Sequence, residues 1–245
     1  MKEKSILILG SSSDISKAVA NYFSKNGYEI FLASRKPEEM NSFIGELKNK
    51  YNVEVACYKF DVLDYKLFEG FIENLPYLPK IIISLIGDMG IQENSVSDLL
   101  LAKKIMRTNY EGPANILEMI AQKLKERNHG AIIGVSSVAG DRGRKSNYIY
   151  GSAKAAFTSY LSGLRNKLSN TNVKVITILP GFVKTSSTKN MNLPLLLTSK
   201  PEKVAKVIYD SYKNNKDVVY VGFVWKYIMI IIKLIPEFIF KKLNL

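Results

Sequence analysis

Seven short apolar segments, separated by longer stretches with a helical pattern, constrain the fold of this chain more than any other feature. The segments are rich in Val, Ile and Leu and nearly continuous in apolar character, which is typical of strands covered on both faces. Strands that alternate with helices in this way form a parallel, doubly wound α/β sheet with right-handed crossovers. The predicted strands are Ser5–Leu9, Glu29–Ala33, Val53–Tyr58, Ile81–Leu85, Ala131–Val135, Val173–Leu179 and Val218–Val221.

Length and composition set the domain organisation. The 245 residues, 47% of them hydrophobic, can bury the core of one α/β domain. We expect this domain to span residues 1–222 and to be followed by a C-terminal segment, residues 223–245. The single cysteine, Cys57, excludes an internal disulfide or a multi-cysteine metal site, and His129 precedes a glycine in a predicted turn, so no metal is expected. The N-terminus enters a strand with too short an apolar run for a signal peptide, which predicts a cytoplasmic protein.

The charge of the chain predicts an anionic partner. The net charge is +13, which favours nucleic acid, a membrane surface or a phosphorylated substrate. The sequence has no arginine-rich tract, aromatic RNA-binding signature or zinc spacing, so nucleic acid is the least favoured. Residues 184–245 hold eleven lysines and four acidic residues, and therefore carry over half of the net charge.

A candidate catalytic pair lies in the sequence YGSAK, where Tyr150 and Lys154 are four residues apart. Residues at this spacing share a helix face, so we expect the ammonium to lie beside the phenol and to lower its pKa toward neutrality. The same spacing is common among solvated helix neighbours. The strand AIIGVSS upstream, which ends in serines, favours the catalytic interpretation because Ser137 could then hold a substrate oxygen.

The order of these residues resembles the short-chain dehydrogenase/reductase family, whose Ser, Tyr and Lys match Ser137, Tyr150 and Lys154 in spacing. Ser136 is one residue too far from the tyrosine. The resemblance implies a single Rossmann-like domain and an NAD(P)-dependent oxidoreductase acting on CH–OH or C=O groups. It also implies that Asn109, in RTNYEGP, holds a water in the proton relay; the alternative is a polar residue that bends a helix.

The first strand is followed by GSSSDIS, where the family has three glycines and this chain keeps only Gly10. In a dinucleotide fold this turn and the following helix N-terminus approach the pyrophosphate. The alternative is an ordinary turn in which Asp14 caps a helix over Ile15–Lys25. With the catalytic pair downstream we favour the cofactor loop. Its predicted contacts are Gly10, Ser12, Ser13, Asp14 and Ile15.

The second strand ends in FLASRK and predicts the cofactor. An acidic residue here would bind the ribose hydroxyls of NAD, but the chain has Ser34 and Arg35. Because an arginine can clamp the extra phosphate of NADP, NADP(H) is favoured over NAD(H). The alternative is a solvated basic loop. Asp61 and Val62 match the Asp-Val pair that meets the adenine in the family.

Two later segments concern the nicotinamide end. The family's Asn-Asn-Ala-Gly is replaced by LIGD, in which Gly87 is the remaining predicted contact. PGFVKT matches Pro-Gly-x-Val-x-Thr, which passes the nicotinamide carboxamide in the family, and Pro-Gly is also a common turn after a strand. The residues that match are Pro180, Gly181, Val183 and Thr185.

The C-terminal segment reads as a basic amphipathic helix that Pro236 kinks or splits. Its lysines interrupt the apolar run too often for a spanning helix, so we predict a helix lying on an anionic membrane surface or, alternatively, a contact in a homo-oligomer. We place Lys226, Lys233, Glu237 and Lys241 on one face and an apolar face around Trp225 and Met229. Upstream, MNLPLLLT, residues 191–198, predicts an apolar lid near the active site or a helix packed on the core.

The departures from the family pattern and the Trp-containing basic tail resemble a subgroup that includes decaprenylphosphoryl-2-keto-erythropentose reductase and reductases of capsule or O-antigen clusters. The resemblance implies reduction of a polyprenyl-phosphate-linked keto sugar in cell-envelope polysaccharide synthesis, after an oxidase partner makes the ketone. The enzyme would then work in the cytoplasm at the inner face of the cell membrane. Two alternatives are a reductase of a soluble, acyl or sphingoid ketone and a non-catalytic nucleotide-binding scaffold.

Overall fold

Seven parallel strands form one central sheet, in the order β3-β2-β1-β4-β5-β6-β9. A computed structural model describes residues 3–189 and 191–243 of the chain. Residues 1, 2 and 190 of the predicted domain and residues 244–245 of the predicted tail lie outside this description. The strands are β1 Ser5–Leu9, β2 Glu29–Ser34, β3 Val55–Lys59, β4 Ile81–Ser84, β5 Gly130–Val135, β6 Val173–Pro180 and β9 Val218–Val221, while β7 Phe182–Val183 and β8 Thr198–Ser199 pair separately.

The predicted α/β architecture is confirmed, and every predicted strand boundary lies within two residues of the observed one. Strand β1 shows why the apolar runs were continuous. Leu7 and Leu9 point into the core on one side of the sheet, while Ile6 and Ile8 point into the core on the other. All four are fully buried. Burial of a side chain of this size contributes about 1.5–3 kcal/mol, which makes the strand interior the main source of stability.

Helices cover both faces of the sheet. Helices α3, α6 and α7 bury their apolar residues on one face, and α1, α2 and α8 do so on the other. The helices are α1 Asp14–Lys25, α2 Asn41–Tyr51, α3 Phe68–Glu73, α4 Gln92–Ser97, α5 Leu99–Met106, α6 Gly112–Glu126, α7 Tyr148–Lys167, α8 Pro201–Lys213, α9 Phe223–Leu234 and α10 Glu237–Phe240.

The C-terminal segment forms two helices, because α9 ends before Pro236 and α10 begins after it. The predicted split of the helix is therefore observed. Trp225 and Met229 are buried and pack with Val138 and Leu179, so the centre of the predicted apolar face lies against the protein itself. Within residues 3–189 and 191–243, no helix has the length and apolar character to cross a membrane.

Residues 191–198 do not form the core-packed helix that was one of the two predictions. Their one helical element is a short 3₁₀ turn, Leu195–Leu197, in which Leu195 and Leu196 are 89% and 98% exposed, and Thr198 begins β8. Leu197 packs beside Trp225. The lid role stays a prediction.

Candidate active site

The two serines that follow β5 have different surroundings. The Ser136 hydroxyl bonds the Lys154 carbonyl at 3.0 Å and the Thr158 hydroxyl at 2.7 Å, so it fastens α7 to the sheet. The Ser137 hydroxyl faces the Tyr150 phenol, whose pKa it lowers, and also accepts from the Ala139 amide at 3.1 Å. Of the two, Ser137 is therefore the serine that shares a site with the tyrosine.

Two glycines allow the turn after Ser137 to lie directly on α7. A Cβ at Gly140 would stand 2.7 Å from the Ala155 nitrogen, and one at Gly151 would stand 2.8 Å from the Ala139 carbonyl oxygen. Both distances are below van der Waals contact with backbone, so larger residues would push the two elements apart. The close packing fixes the distance between the strand-end serine and the helical tyrosine.

Lys154 is the buried cation of the site and is only 3% exposed. Its Nζ donates to the carbonyl oxygens of Ile86 at 3.2 Å and Val135 at 3.3 Å and lies 5.8 Å from the centre of the Tyr150 ring. Removal from water disfavours the ammonium and lowers the pKa of Lys154 to about 8.

Burial raises the pKa of Tyr150 to about 12, and the nearby Ser137 hydroxyl opposes this rise only in part. The sequence-based prediction that Lys154 lowers this pKa toward neutrality is therefore wrong for this structure. The physical reason is the position of the Lys154 ammonium. It donates to two backbone carbonyls and lies 5.8 Å from the centre of the phenol ring, so the effect of burial on the pKa of the phenol dominates. The phenol stays protonated at neutral pH and can act as a proton donor.

Asn109 is fully buried within a π-helical turn, Arg107–Glu111, a distortion that occurs often at functional sites. Its side-chain amide donates to the carbonyls of Asp88 at 2.6 Å and Ile105 at 2.9 Å. A Cβ at Gly87 would stand 3.2 Å from Asn109 Oδ1 and 3.3 Å from Lys154 Nζ. Both polar groups thus border the same small space beside Gly87, and the role of Asn109 in a water relay stays a prediction.

A cavity lies between the ends of β1 and β4, where the strand order reverses, which is the usual ligand crevice of such sheets. Gly10 has a φ of +83°, and a Cβ there would stand 3.0 Å from Ile86, so this wall needs a glycine. Because no side chain stands at this position, the backbone of the turn itself lines the cavity, which fits the close approach of a nicotinamide dinucleotide. The predicted contacts that line the cavity are Gly10, Ser12, Ser13, Ser34, Arg35, Asp61, Val62 and Gly87.

Sequence reasoning missed several residues of this cavity, among them Lys104 and Thr108. They are four residues apart immediately before Asn109, on one face of the helical region. This spacing was visible in the sequence and was a usable signal. Lys104 adds a positive charge to a cavity that already contains Arg35.

Asp14 and Ser16 stand where the family has the two missing glycines of the first turn, and serine side chains hold this turn together. The Ser13 side chain caps α1 by accepting from the Ser16 amide at 3.1 Å, and the Ser16 hydroxyl donates to the Gly10 carbonyl at 2.6 Å. The alternative that Asp14 caps this helix is therefore wrong. The Asp14 carboxylate accepts from the Ser186 amide at 2.6 Å, and this bond lowers its pKa.

The remaining predicted cofactor contacts lie outside the crevice cavity. Ile15 and Val183 pack with the core, and Pro180 ends β6. Gly181 lies under the Trp225 indole, which a Cβ would approach to 2.0 Å. A second cavity of 1090 Å³, between α1 and residues 184–202, is lined by Asp14 and Thr185 among others. The cofactor roles of these residues stay predictions.

The parallel sheet, its crevice and the Ser137, Tyr150 and Lys154 cluster define an oxidoreductase of the α/β class. Residues 4–195 match the short chain dehydrogenase family, and the chain belongs to this family. It is similar to an uncharacterized oxidoreductase of Mycobacterium tuberculosis, with 28% identity over 97% of this chain and 96% of the relative. It is also similar to an NADP-dependent 3-hydroxy acid dehydrogenase of Schizosaccharomyces pombe, with 32% identity over 74% of this chain and 72% of the relative.

Solved structures show the same fold. A short-chain dehydrogenase from Sphingobium yanoikuyae in complex with NADPH superposes with a TM-score of 0.79 at 18% identity, covering 95% of this chain and 96% of that one. A short-chain dehydrogenase from Burkholderia cenocepacia in complex with NADP gives a TM-score of 0.78 at 20% identity, covering 93% and 91%. The Rossmann-like architecture is therefore shared along nearly the whole chain.

Proposed function

We propose that this protein is an NADPH-dependent carbonyl reductase in which Tyr150 gives the proton. The observation that carries the proposal is the geometry of the cluster, in which the Tyr150 phenol lies against the Ser137 hydroxyl and the Nζ of the buried Lys154 lies 5.8 Å from the centre of its ring. Reduction of a carbonyl needs an acid at the oxygen, and a protonated phenol at neutral pH meets that need. A nucleotide-binding scaffold would have no use for this cluster.

The crevice supports the choice of cofactor. When bound there, NADPH supplies the hydride for the carbonyl carbon. Arg35 lines the cavity at the end of β2, where its guanidinium can bind a ribose phosphate, and Ser34 stands where an acidic residue would select NAD. Lys104 on the same cavity adds charge that favours the more anionic cofactor.

Each catalytic residue has a different role. Ser137 donates a hydrogen bond to the carbonyl oxygen, and Tyr150 transfers its proton to that oxygen as charge develops there. Lys154, whose pKa is about 8, is mostly protonated at neutral pH, and its ammonium would turn from the two backbone carbonyls to the phenol oxygen as the transfer leaves a phenolate there. Asn109 and Lys154 border the space beside Gly87, through which a water can return the proton.

For the substrate we propose a keto sugar linked to a polyprenyl phosphate, in cell-envelope polysaccharide synthesis. The high lysine content of residues 184–245 suits a phosphate, and the exposed Leu195 and Leu196 suit a lipid chain. An oxidase partner would supply the ketone, and the enzyme, as a homo-oligomer, would work at the inner face of the cell membrane. The resemblance of the tail to the polyprenyl-linked subgroup supports the same substrate class.

A small soluble ketone is the second candidate. It is favoured by the 32% identity to an NADP-dependent 3-hydroxy acid dehydrogenase. The two substrates differ in what they require from the protein, because a small keto acid needs no apolar surface for a lipid chain.

NADPH consumption tests the proposal and separates the candidates. We expect a short-chain prenyl-phosphate keto-pentose to be reduced with a higher kcat/KM than a 3-keto acid, and Tyr150→Phe to abolish both reactions. A preference for the keto acid would replace the sugar substrate by the second candidate. Turnover that survives in Tyr150→Phe would contradict the catalytic assignment.

A further inference from the structure

Helices α9 and α10 carry apolar side chains on the side that faces solvent, in addition to those packed on the protein. We call this set the outer face. Four members, on α9, are spaced by four, four and three residues, which places them along one side of that helix, and the fifth lies on α10 beyond the break at Pro236. They are Phe223, Tyr227, Ile231, Leu234 and Phe238, with exposed fractions of 75%, 49%, 64%, 76% and 66%.

The outer face cannot be buried by rotation of α9, because the opposite side of the helix is already fixed. Met229 is fully buried and Trp225 is 4% exposed. The Trp225 Nε1 donates to the Leu197 carbonyl at 3.0 Å, and its ring meets Phe182 at a centroid distance of 5.2 Å. An apolar helix with one side anchored presents its other side permanently to the surroundings.

Arg142 fixes the corner between the two helices. Its guanidinium donates to the Ile235 carbonyl at 2.6 Å and to the Glu237 carboxylate at 2.8 Å, and lies 3.6 Å from the centre of the Phe240 ring. The carbonyls at the end of α9 are thus satisfied although Pro236 interrupts the helix. The outer face is therefore held as one surface across the break.

The charges beside the outer face are positive. Lys226, Lys241 and Lys242 are exposed in the same segment. Glu237, the acidic residue of residues 223–245, is paired with Arg142. Exposed apolar side chains flanked by exposed lysines match the interface of a bilayer with anionic headgroups.

We infer that the outer face docks this protein on an anionic lipid bilayer, with the aromatic and leucine side chains in the headgroup region and the lysines on the lipid phosphates. A symmetric contact between two copies fits less well, because it would bring the same lysines of both copies together. The inference concerns location and does not depend on which ketone is reduced. It places the turn Val138–Gly140, which packs beneath α9, close to the membrane.

Vesicle sedimentation of the full chain tests the inference. Phosphatidylcholine vesicles with and without phosphatidylglycerol are compared, at low and high salt. We expect binding to the anionic vesicles only, and weakening by salt because the lysine contribution is screened. Equal binding to both vesicle types, or no binding to either, would overturn it.

Two variants test whether the outer face is the surface that binds the vesicles. The triple variant Phe223→Ser, Leu234→Ser and Phe238→Ser should reduce the bound fraction at least about tenfold, because three inserted side chains are lost. The control is Leu99→Ser with Leu100→Ser, which removes an exposed apolar pair, 81% and 78% exposed, from α5. The control should bind as wild type does, and both variants should keep the wild-type circular dichroism spectrum.

The oligomeric state tests the remaining alternative, in which a second copy of the chain covers the outer face. If light scattering shows a dimer that the triple variant converts to a monomer, and wild type does not bind vesicles, the outer face is a contact between copies and the inference is wrong. Wild-type sedimentation that the triple variant retains would also overturn it, because binding would then come from another surface. If the triple variant loses the native spectrum, Lys226→Glu with Lys242→Glu replaces it, and undiminished binding of this second variant counts against the inference.

Discussion

Lys154 Nζ lies 5.8 Å from the centre of the Tyr150 ring and donates to two backbone carbonyls instead of approaching the phenol oxygen. The two groups are shifted in opposite directions, because burial raises the pKa of Tyr150 to about 12 and lowers that of Lys154 to about 8. Over neutral pH the site therefore contains a protonated acid and a cation that is close to losing its charge. This arrangement determines the expected pH dependence.

We expect kcat/KM for carbonyl reduction to fall as pH rises through about 8. The pKa of Lys154 is lowered, so above about pH 8 the lysine is neutral and no longer stabilises the phenolate. Tyr150 itself stays protonated until about pH 12 and does not cause the fall. A rate profile between about pH 6 and 10 measures this. Lys154→Arg, which keeps its charge, should retain activity at the alkaline end, and a flat wild-type profile would contradict the assignment.

Replacing Arg35 should weaken NADPH binding and leave NADH binding unchanged. The reason is that the guanidinium is proposed to hold the extra phosphate, a charge-assisted bond of about 1.5–3 kcal/mol, which corresponds to roughly tenfold or more in Kd. Calorimetric titration of Arg35→Ala with both nucleotides measures the effect. Lys36→Ala is the matched control, because Lys36 is paired with Glu39 at 2.6 Å and should not respond. An equal loss of affinity for NADPH and NADH would show that Arg35 does not bind the extra phosphate.

Replacing Ser136 and replacing Ser137 should have different effects on activity and stability. Ser137→Ala should lower kcat, because its hydroxyl faces Tyr150, and should lower the unfolding free energy less than Ser136→Ala does, because only the bond from the Ala139 amide is lost. Ser136→Ala should lower the unfolding free energy by about 1–3 kcal/mol, because the Lys154 carbonyl and the Thr158 hydroxyl lose a buried partner. Urea unfolding and steady-state kinetics on both variants decide this, and a reversed pattern would exchange the two roles.

Glycines on α7 should respond oppositely to alanine. Gly151→Ala places a methyl group 2.8 Å from the Ala139 carbonyl and should destabilise by about 1–3 kcal/mol. Gly163→Ala, on the same helix with no atom within 4 Å of the added Cβ, should stabilise by about 0.5–1 kcal/mol. Thermal unfolding of the two variants is the measurement. Similar shifts in both would mean that the turn after Ser137 does not lie against the helix.

The strands were predictable because each is an apolar run buried on both sides, and such runs leave a clear local signal. The catalytic residues were placed by spacing, and the structure brings Ser137, Tyr150 and Lys154 into one cluster. Predictions that depended on contacts between residues distant in the sequence were less accurate. Whether Ser13 or Asp14 caps α1 depends on how residue 186 returns to the first turn, a contact across more than half the chain.

The pKa of Tyr150 is a second case of this limit. The i and i+4 spacing indicates neighbouring side chains but not which atom the ammonium reaches, and the carbonyls of Ile86 and Val135 hold it elsewhere. The C-terminal helix is a third case in which the sequence did not determine the contacts. It is apolar on both sides, so the sequence alone could not show that Trp225 and Met229 face inward and Phe223 and Leu234 outward.

The central claim is that Tyr150 is the proton donor of a working reductase, and the most direct test is single-turnover oxidation of bound NADPH by a ketone in wild type and Tyr150→Phe. The account predicts equal NADPH affinity in both proteins and a rate at least about a hundredfold lower in the variant, because only the phenol hydroxyl is removed. Equal rates in the two proteins would contradict it.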